Sequence, residues 1–443
     1  MSSRSKTPMT RIAWNAAVLL FEKGIAAAAS FIYIPYTVQA VGIATFGQIL
    51  LVISYIEIIS DLTSLLSWQT VLHYGAAPYR EGRRTDLYHV LRFGMRLDFL
   101  SGAVGYLIGE GGLWCLSSWL GWTGPLHPVM DICLLFVFFD KTGWCVGTVR
   151  LLNKFTYLTF GNGLTASFRI LASMVGYYAH MGLTYFLYVW LLSSVVLFFS
   201  DMAATFYALK KYEPACFGWR QILHTPAFMQ GAWTFTIMAS LNKILLAATK
   251  KLPILLIGGS IGPTEAAIYK VSDQISNGLV RPMRTFMPAL YPEFVHLREE
   301  GRMEEMHRVI RKLFFSALLF ACAALLVVSL FGDQVLYLLL GIHGGGGYLL
   351  PVLVCGALLT ILGLPLEPFL VVTGRLHALF RFQVLNVLVN LPVLFLMVRV
   401  WGTIGAAYSL VLFSATLLAF FAIHARAAFA KEARGYPKPP PAG

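Results

Sequence analysis

Apolar residues run through this chain in long stretches separated by short polar breaks, the first at 12–39 and the last at 403–424. A helix needs about 20 mainly apolar residues to cross the hydrocarbon of a bilayer. Read with that ruler, the pattern predicts helices at 12–39, 45–67, 91–110, 129–149, 157–179, 183–209, 230–257, 264–291, 311–331, 348–372, 383–399 and 403–424. The expected fold class is therefore an all-α integral membrane protein with about 12 transmembrane helices. The first stretch, with its basic leader and the Ala-rich segment Ala26 to Ser30, has the outline of a signal peptide. Glu22 and Lys23 interrupt the apolar run, so an uncleaved first helix is expected.

Composition agrees with that pattern. Of 443 residues, 58% are hydrophobic and 12% charged, against about 25% charged in soluble domains. The net charge of +13 raises the question of nucleic acid, and the positions of the basic residues answer it. If the N-terminus is cytoplasmic, 24 of the 34 Lys and Arg fall in inward loops and tails, from Arg80, Arg83 and Arg84 to Arg375 and Arg381. The outward connections carry only Arg399. That asymmetry predicts both termini inside and no nucleic-acid partner.

Several chemistries are absent. The six cysteines (Cys115, Cys133, Cys145, Cys216, Cys322 and Cys355) form no CxxC pair and read as small core residues. No GxxxxGK[ST] sequence occurs, and the glycine run 344–347 lacks the Lys-Ser or Lys-Thr of a phosphate loop. No histidines form an HExxH arrangement, so neither cofactor nor metal is expected. An integral-membrane glycosyltransferase or polysaccharide polymerase would need a sizeable outward segment for its chemistry, and the outward loops are short.

A weak internal repeat appears at an offset of 220 residues: Glu22 and Lys23 fall on Asn242 and Lys243, and Val41 and Gly42 fall on Ile261 and Gly262. It predicts two pseudo-symmetric six-helix lobes, 1–215 and 216–425, followed by a cytoplasmic tail at 426–443. Nine basic residues remain inside the spans: Lys23, Lys141, Arg169, Lys243, Lys250, Lys251, Lys270, Arg281 and Arg284. Each costs about 2.5–3.5 kcal/mol at a helix centre, so they call for a water-filled interior. Lys250, Lys251 and Arg284 lie near helix ends, from which they could snorkel.

The eighth segment places Lys270, Asp273, Asn277, Arg281 and Arg284 on one face, and the second does the same with Ser54, Glu57, Asp61 and Ser64. The residues expected to bind an anionic substrate are Lys23, Arg169, Lys243, Lys270, Arg281 and Arg284. Those expected to gate or couple are Glu22, Glu57, Asp61 and Asp273. Glu57 and Asp61 are expected to pair with Arg281 and Arg284 when a cytoplasmic mouth closes. Glu367, between Pro365 and Pro368, marks a break or kink in the tenth segment. Gln383, Asn386 and Asn390 share a face suited to interhelical hydrogen bonds.

Several short motifs carry a family resemblance. Val41-Gly42-Ile43-Ala44-Thr45-Phe46-Gly47, followed by Asp61-Leu62, resembles the first loop and second helix of polysaccharide flippases. Gly147 to Phe155 is similar to the loop after their fourth helix. Ile257-Gly258-Gly259-Ser260-Ile261-Gly262-Pro263, running on to Tyr269-Lys270, resembles their seventh-to-eighth turn. Ala289-Leu290-Tyr291-Pro292-Glu293 resembles the exit from the eighth helix.

The resemblance covers about residues 12–425. It implies a member of the multidrug, oligosaccharidyl-lipid and polysaccharide exporters, in the branch that flips undecaprenyl-pyrophosphate-linked oligosaccharides in the bacterial cytoplasmic (inner) membrane. It also implies a bilobed fold whose first, second, seventh and eighth helices line a central cavity. The chain lacks the two extra helices of peptidoglycan-precursor flippases, which favours an O-antigen or exopolysaccharide unit. Implied partners are the lipid-linked oligosaccharide, membrane lipids, and the polysaccharide polymerase with its chain-length machinery. A drug or metabolite antiporter of the same superfamily is the alternative. A pyrophosphate cannot cross hydrocarbon unaided, and moving it outward across an inside-negative membrane is downhill by about 2.3 kcal/mol per charge per 100 mV.

Overall fold

The computed structural model describes residues 8–122, 124–213, 231–342 and 348–435. Within these ranges it describes side chains except at 8–23, 26, 125, 242, 245, 246, 248, 282, 285–289, 291, 292, 376 and 430–435. Cys216, Arg220 and the glycines 344–347 lie outside the described residues. The described chain is all helical, without strands. The described residues of the twelve apolar stretches are mostly helical, with interruptions in the second, fourth and tenth. Among the described residues, seven helical runs are long and apolar enough to cross a membrane. The helix that carries Arg169 lies outside that set, its polar residues lowering the mean hydropathy.

The chain forms two compact units. The first, residues 17–267, holds most of α1 (Pro8–Val41), then α2 (Ile43–Leu62), α3 (Ser67–Glu81), α4 (Arg84–Leu116) and three short helices, α5 (His127–Cys133), α6 (Phe136–Phe139) and α7 (Gly143–Leu151). It continues through α8 (Phe155–Tyr178), α9 (Leu183–Tyr212) and α10 (Ala232–Ser260). Its core packs Val71 of α3 with Leu87 and Leu91 of α4, Trp144 of α7 and Leu209 of α9. The small-residue face of α4 (Gly94, Gly102, Gly105 and Gly109) lies directly against Val71, Phe138, Val137 and Leu134. This is the close packing that takes the place of hydrophobic driving force between helices in lipid.

Two features of this unit differ from the sequence expectation. Residues 68–90, expected as an inward loop, contain α3, which prolongs the second apolar stretch to Glu81. Its Ser67, Gln69, Thr70 and His73 hide it from a hydropathy scale, while Ser67, Thr70, Val71 and Gly75 are buried. The fourth stretch is three short helices rather than one. Within this unit α10 packs against α2 and α3.

The glycines of the recognised motifs have packing roles here. Gly42 (φ 79°) and Gly262 (φ 145°) sit at positions 220 residues apart, each joining two long helices through a left-handed φ that side chains disfavour. Gly47 meets the start of the next helix so closely that a Cβ would lie 2.0 Å from the Pro263 carbonyl oxygen. Gly258 lies against Leu51 in the same way.

The second unit comprises residues 268–443 together with 1–16. It contains most of α11 (Pro263–Glu299), then α12 (Met303–Leu340), α13 (Leu349–Gly363), α14 (Leu366–Val372) and α15 (Leu376–Gly435). The last joins the two expected spans at 383–399 and 403–424, with Gly402 (φ 64°, ψ −141°) interrupting the helix between them. Phe294 and Leu297 of α11, Met306 and Ile310 of α12, Phe369 and Leu370 of α14, and Phe421 of α15 form its core. In the α11–α12 turn, Arg302 pairs with Glu300 at 2.8 Å and Glu305 at 2.6 Å, which holds its guanidinium above the ordinary value. Asn386 donates to the Phe413 carbonyl and Asn390 to that of Ser409, the interhelical bonding their shared face suggests.

Candidate functional site

The site begins with a break in the backbone. Between α2 and α3 the chain leaves helical geometry at residues 63–66, inside an apolar run of 39 residues. In hydrocarbon every backbone polar group must find a partner within the protein. On the acceptor side the Ile59 carbonyl takes the Thr63 N–H and hydroxyl, the Ser60 carbonyl takes Lys141, the Asp61 carbonyl takes the Ser64 N–H, and the Thr63 carbonyl takes the Ser101 hydroxyl. On the donor side the Leu65 N–H reaches Ser101 Oγ at 2.9 Å and the Leu66 N–H reaches Ser240 Oγ of α10 at 3.0 Å. Every partner of the unwound turn beyond its own neighbours therefore comes from α4, α10 or the α6–α7 junction.

An ion-pair cluster sits at the C-terminal end of α2, where the helix dipole is negative and cations are favoured. Lys251 Nζ lies 2.6 Å from Asp61 Oδ2 and 3.2 Å from Glu57 Oε2, clamping both carboxylates. Lys243 Nζ lies 3.1 Å from Asp61 Oδ1 and donates to Ser64 Oγ at 2.9 Å. Glu57, Asp61 and Ser64 are thus used together, as their shared face predicts. Lys243 and Lys251 of α10 neutralise the two carboxylates in this arrangement. Lys251, read as free to snorkel, is held with a side chain 22% exposed.

A second network adjoins the first. Lys141, 7% exposed, donates to the Ser60 carbonyl oxygen at 2.5 Å and to Ser60 Oγ at 2.9 Å, and Ser60 Oγ donates to Asp140 Oδ2 at 2.5 Å. Asp98, also buried, accepts from Ser67 Oγ at 2.5 Å and from the Trp144 backbone N–H at 2.8 Å. Asp98 was no sequence candidate, because it reads as an isolated acid on the third segment.

The remaining candidates are spread over both units. Arg169 of α8 is half-buried, 3.4 Å from Ser193 Oγ and 5.4 Å above the Tyr33 ring of α1, a cation–π arrangement. Lys23 and Glu22 lie on α1, and their side chains are outside the description. In the second unit, Asn277 donates to Asp273 Oδ1 at 2.7 Å along the stripe of α11. Arg284, further along the stripe, interacts electrostatically with Glu367 at the start of α14, next to the break between α13 and α14. Lys270 is half-buried and Arg281 exposed on the same helix.

No family model matches the chain. Inner membrane protein YghQ of Escherichia coli strain K12 is 23% identical over 263 residues, which cover 57% of this chain and 72% of that protein. A multidrug resistance MATE family transporter of the MOP superfamily, in its inward-facing conformation, superposes with a TM-score of 0.73 at 15% identity over 95% of this chain and all of the other. A MOP superfamily transporter from Pyrococcus furiosus, described as having a binding pocket of reverse polarity that suggests a different function, superposes with a TM-score of 0.61 at 13% identity over 96% of each chain. At these identities the likeness establishes the fold. The chain is a multi-pass α-helical membrane protein with the architecture of MATE transporters.

Proposed function

We propose that the protein is a secondary transporter of the bacterial inner membrane that works by alternating access. Its cargo in this reading is a lipid-linked oligosaccharide, carried by its pyrophosphate from the inner to the outer leaflet for O-antigen or exopolysaccharide synthesis. Both termini are cytoplasmic, and twelve spans form two six-helix lobes related by the 220-residue repeat.

The observation that carries the reading is the pair Lys243 and Lys251, held inside an apolar fold by carboxylates at the broken end of α2. Cations parked on exchangeable carboxylates suit an anionic ligand that must bind and then leave. A pyrophosphate entering the site competes with Glu57 and Asp61 for the same ammonium groups, so it binds one arrangement of the helices better than the other. Lysine suits this task, being a point charge without the rigid two-pronged geometry of arginine. Lys23, Arg169, Lys270, Arg281 and Arg284 supply further positive charge along the route, while Glu22 and Asp273 serve with Glu57 and Asp61 in gating.

One observation favours the drug or metabolite antiporter. Two carboxylates balance the two lysines in the cluster, so the first unit offers an anion no net charge there while the pairs stay closed. A cationic drug would displace the lysines from the carboxylates instead. Export assays separate the readings: in the flippase, Lys243→Ala and Lys251→Ala abolish lipid-linked sugar export, whereas in the antiporter Glu57→Gln and Asp61→Asn abolish drug efflux and no lipid-linked sugar accumulates.

A further inference from the structure

The Lys141 network has the form of an occupied cation site. Its floor is the frayed C-terminal end of α2, where the Ser60 carbonyl has no helical N–H to accept. Unwound carbonyls and half-helix C-terminal ends are the groups that coordinate the driving cation in broken-helix transporters. The Ser60 hydroxyl both accepts from Lys141 and donates to Asp140, which uses its one proton and leaves an oxygen lone pair toward the cation. Asp140 is exposed and gives the site a mouth, while Lys141 is buried and gives it a stopper. The other charges within electrostatic reach are Asp61, Asp98 and Lys243.

We infer that the Lys141 ammonium is a tethered substitute for a monovalent metal cation, filling an intramembrane sodium-type position on the Ser60 carbonyl and hydroxyl, with the Asp140 carboxylate held behind that hydroxyl. The protein therefore carries its own positive charge at this break and takes up no sodium there. A lysine serving only to cap a helix end would satisfy the same carbonyl, but it would not leave behind a pocket selective for an ion. The two roles differ in what happens when the side chain is removed. Truncation to alanine exposes two neutral oxygens backed by one carboxylate, in a space vacated by three methylenes and an ammonium, to which a sodium ion and its waters are complementary. The inference touches the transport reading only in its consequence, that sodium does not drive the cycle at this position. Its test does not use transport.

The experiment compares thermal unfolding of the purified protein in sodium chloride and in choline chloride at equal ionic strength. Wild type should unfold at the same temperature in both salts. Lys141→Ala should be less stable in choline and regain part of the loss in a saturable sodium titration. Lys141→Ala combined with Asp140→Asn should be unstable in both salts. If the alanine variant does not survive solubilisation, the same comparison is made by limited proteolysis in native membrane vesicles, with Lys141→Ser alongside. An equal response of the Lys141 variants to the two salts overturns the inference. So does a sodium-specific stabilisation of wild type that Asp140→Asn removes, since the site would then already be open to the ion.

Discussion

Replacing Asp61 by asparagine removes a carboxylate that touches both Lys251, at 2.6 Å, and Lys243, at 3.1 Å, while leaving the side chain's size unchanged. The magnitude lies between two limits, a fraction of a kcal/mol to about 1 for exposed pairs and about 3–5 kcal/mol when a buried pair loses one partner. Asp61 and Lys251 are 20% and 22% exposed, which places them nearer the buried limit. Lys251 retains Glu57 at 3.2 Å after the change, which moderates the loss. We therefore expect Asp61→Asn to cost about 2–3 kcal/mol in unfolding free energy.

A double-mutant cycle with Lys251→Met should give a coupling of about 1–2 kcal/mol, within the range for contacting residues. Lys243 is 37% exposed, and its coupling to Asp61 should be no more than about 0.5 kcal/mol after solvent screening. Reversible unfolding in mixed micelles measures both cycles. A coupling to Lys251 below about 0.3 kcal/mol, which is within the scatter of additive pairs, refutes the argument. A coupling to Lys243 larger than that to Lys251 does so too.

Three further outcomes follow from single contacts. Gly47→Ala would drive a Cβ to 2.0 Å from the Pro263 carbonyl oxygen, and such overpacking should cost about 1–3 kcal/mol; a wild-type unfolding temperature would contradict the close approach of α2 and α11. Ser240→Ala leaves the Leu66 N–H without its partner, at a cost of about 1–3 kcal/mol for an orphaned buried donor, and should speed hydrogen exchange at Leu66; unchanged exchange would show that another acceptor takes over. In a cysteine-free background, Ser118→Cys should react with an impermeant maleimide added outside intact cells and Thr85→Cys only after lysis, both positions being exposed; the reverse pattern would invert the topology.

Helix positions were legible because lipid imposes one simple requirement, a run of apolar side chains long enough to cross. Breaks within the helices were not. The turn at 63–66 contains neither glycine nor proline, and nothing local marks it. It exists because Ser101, Ser240 and Lys141, remote in sequence, take over its backbone groups. Helix α3 escaped for the opposite reason, since its buried polar residues are satisfied by tertiary partners, as in Ser67 with Asp98 and Thr70 with Thr236.

The polar face of α2 was readable from its spacing, and Lys243 was selected as a cation needing company. Its partner and that of Lys251 could not be chosen from the sequence. The pairs that Lys243 and Lys251 form depend on which helix packs beside α2, and that helix is α10. Lys251 shows the limit of reading depth from sequence: near the end of a span it suggests snorkelling, yet two carboxylates within reach hold it inside.

The central claim is that the protein moves an anionic lipid-linked sugar across the bilayer using the lysines at the broken end of α2. Reconstitution into liposomes containing an undecaprenyl-pyrophosphate-linked oligosaccharide tests it most directly, by scoring how much of the sugar in the distal leaflet becomes accessible to an added glycosidase. The account predicts time-dependent exposure beyond that of protein-free liposomes, lost when Lys243 and Lys251 are both replaced by alanine in a correctly inserted protein. Exposure no faster than in protein-free liposomes, from a preparation that exchanges cationic drugs, would contradict it.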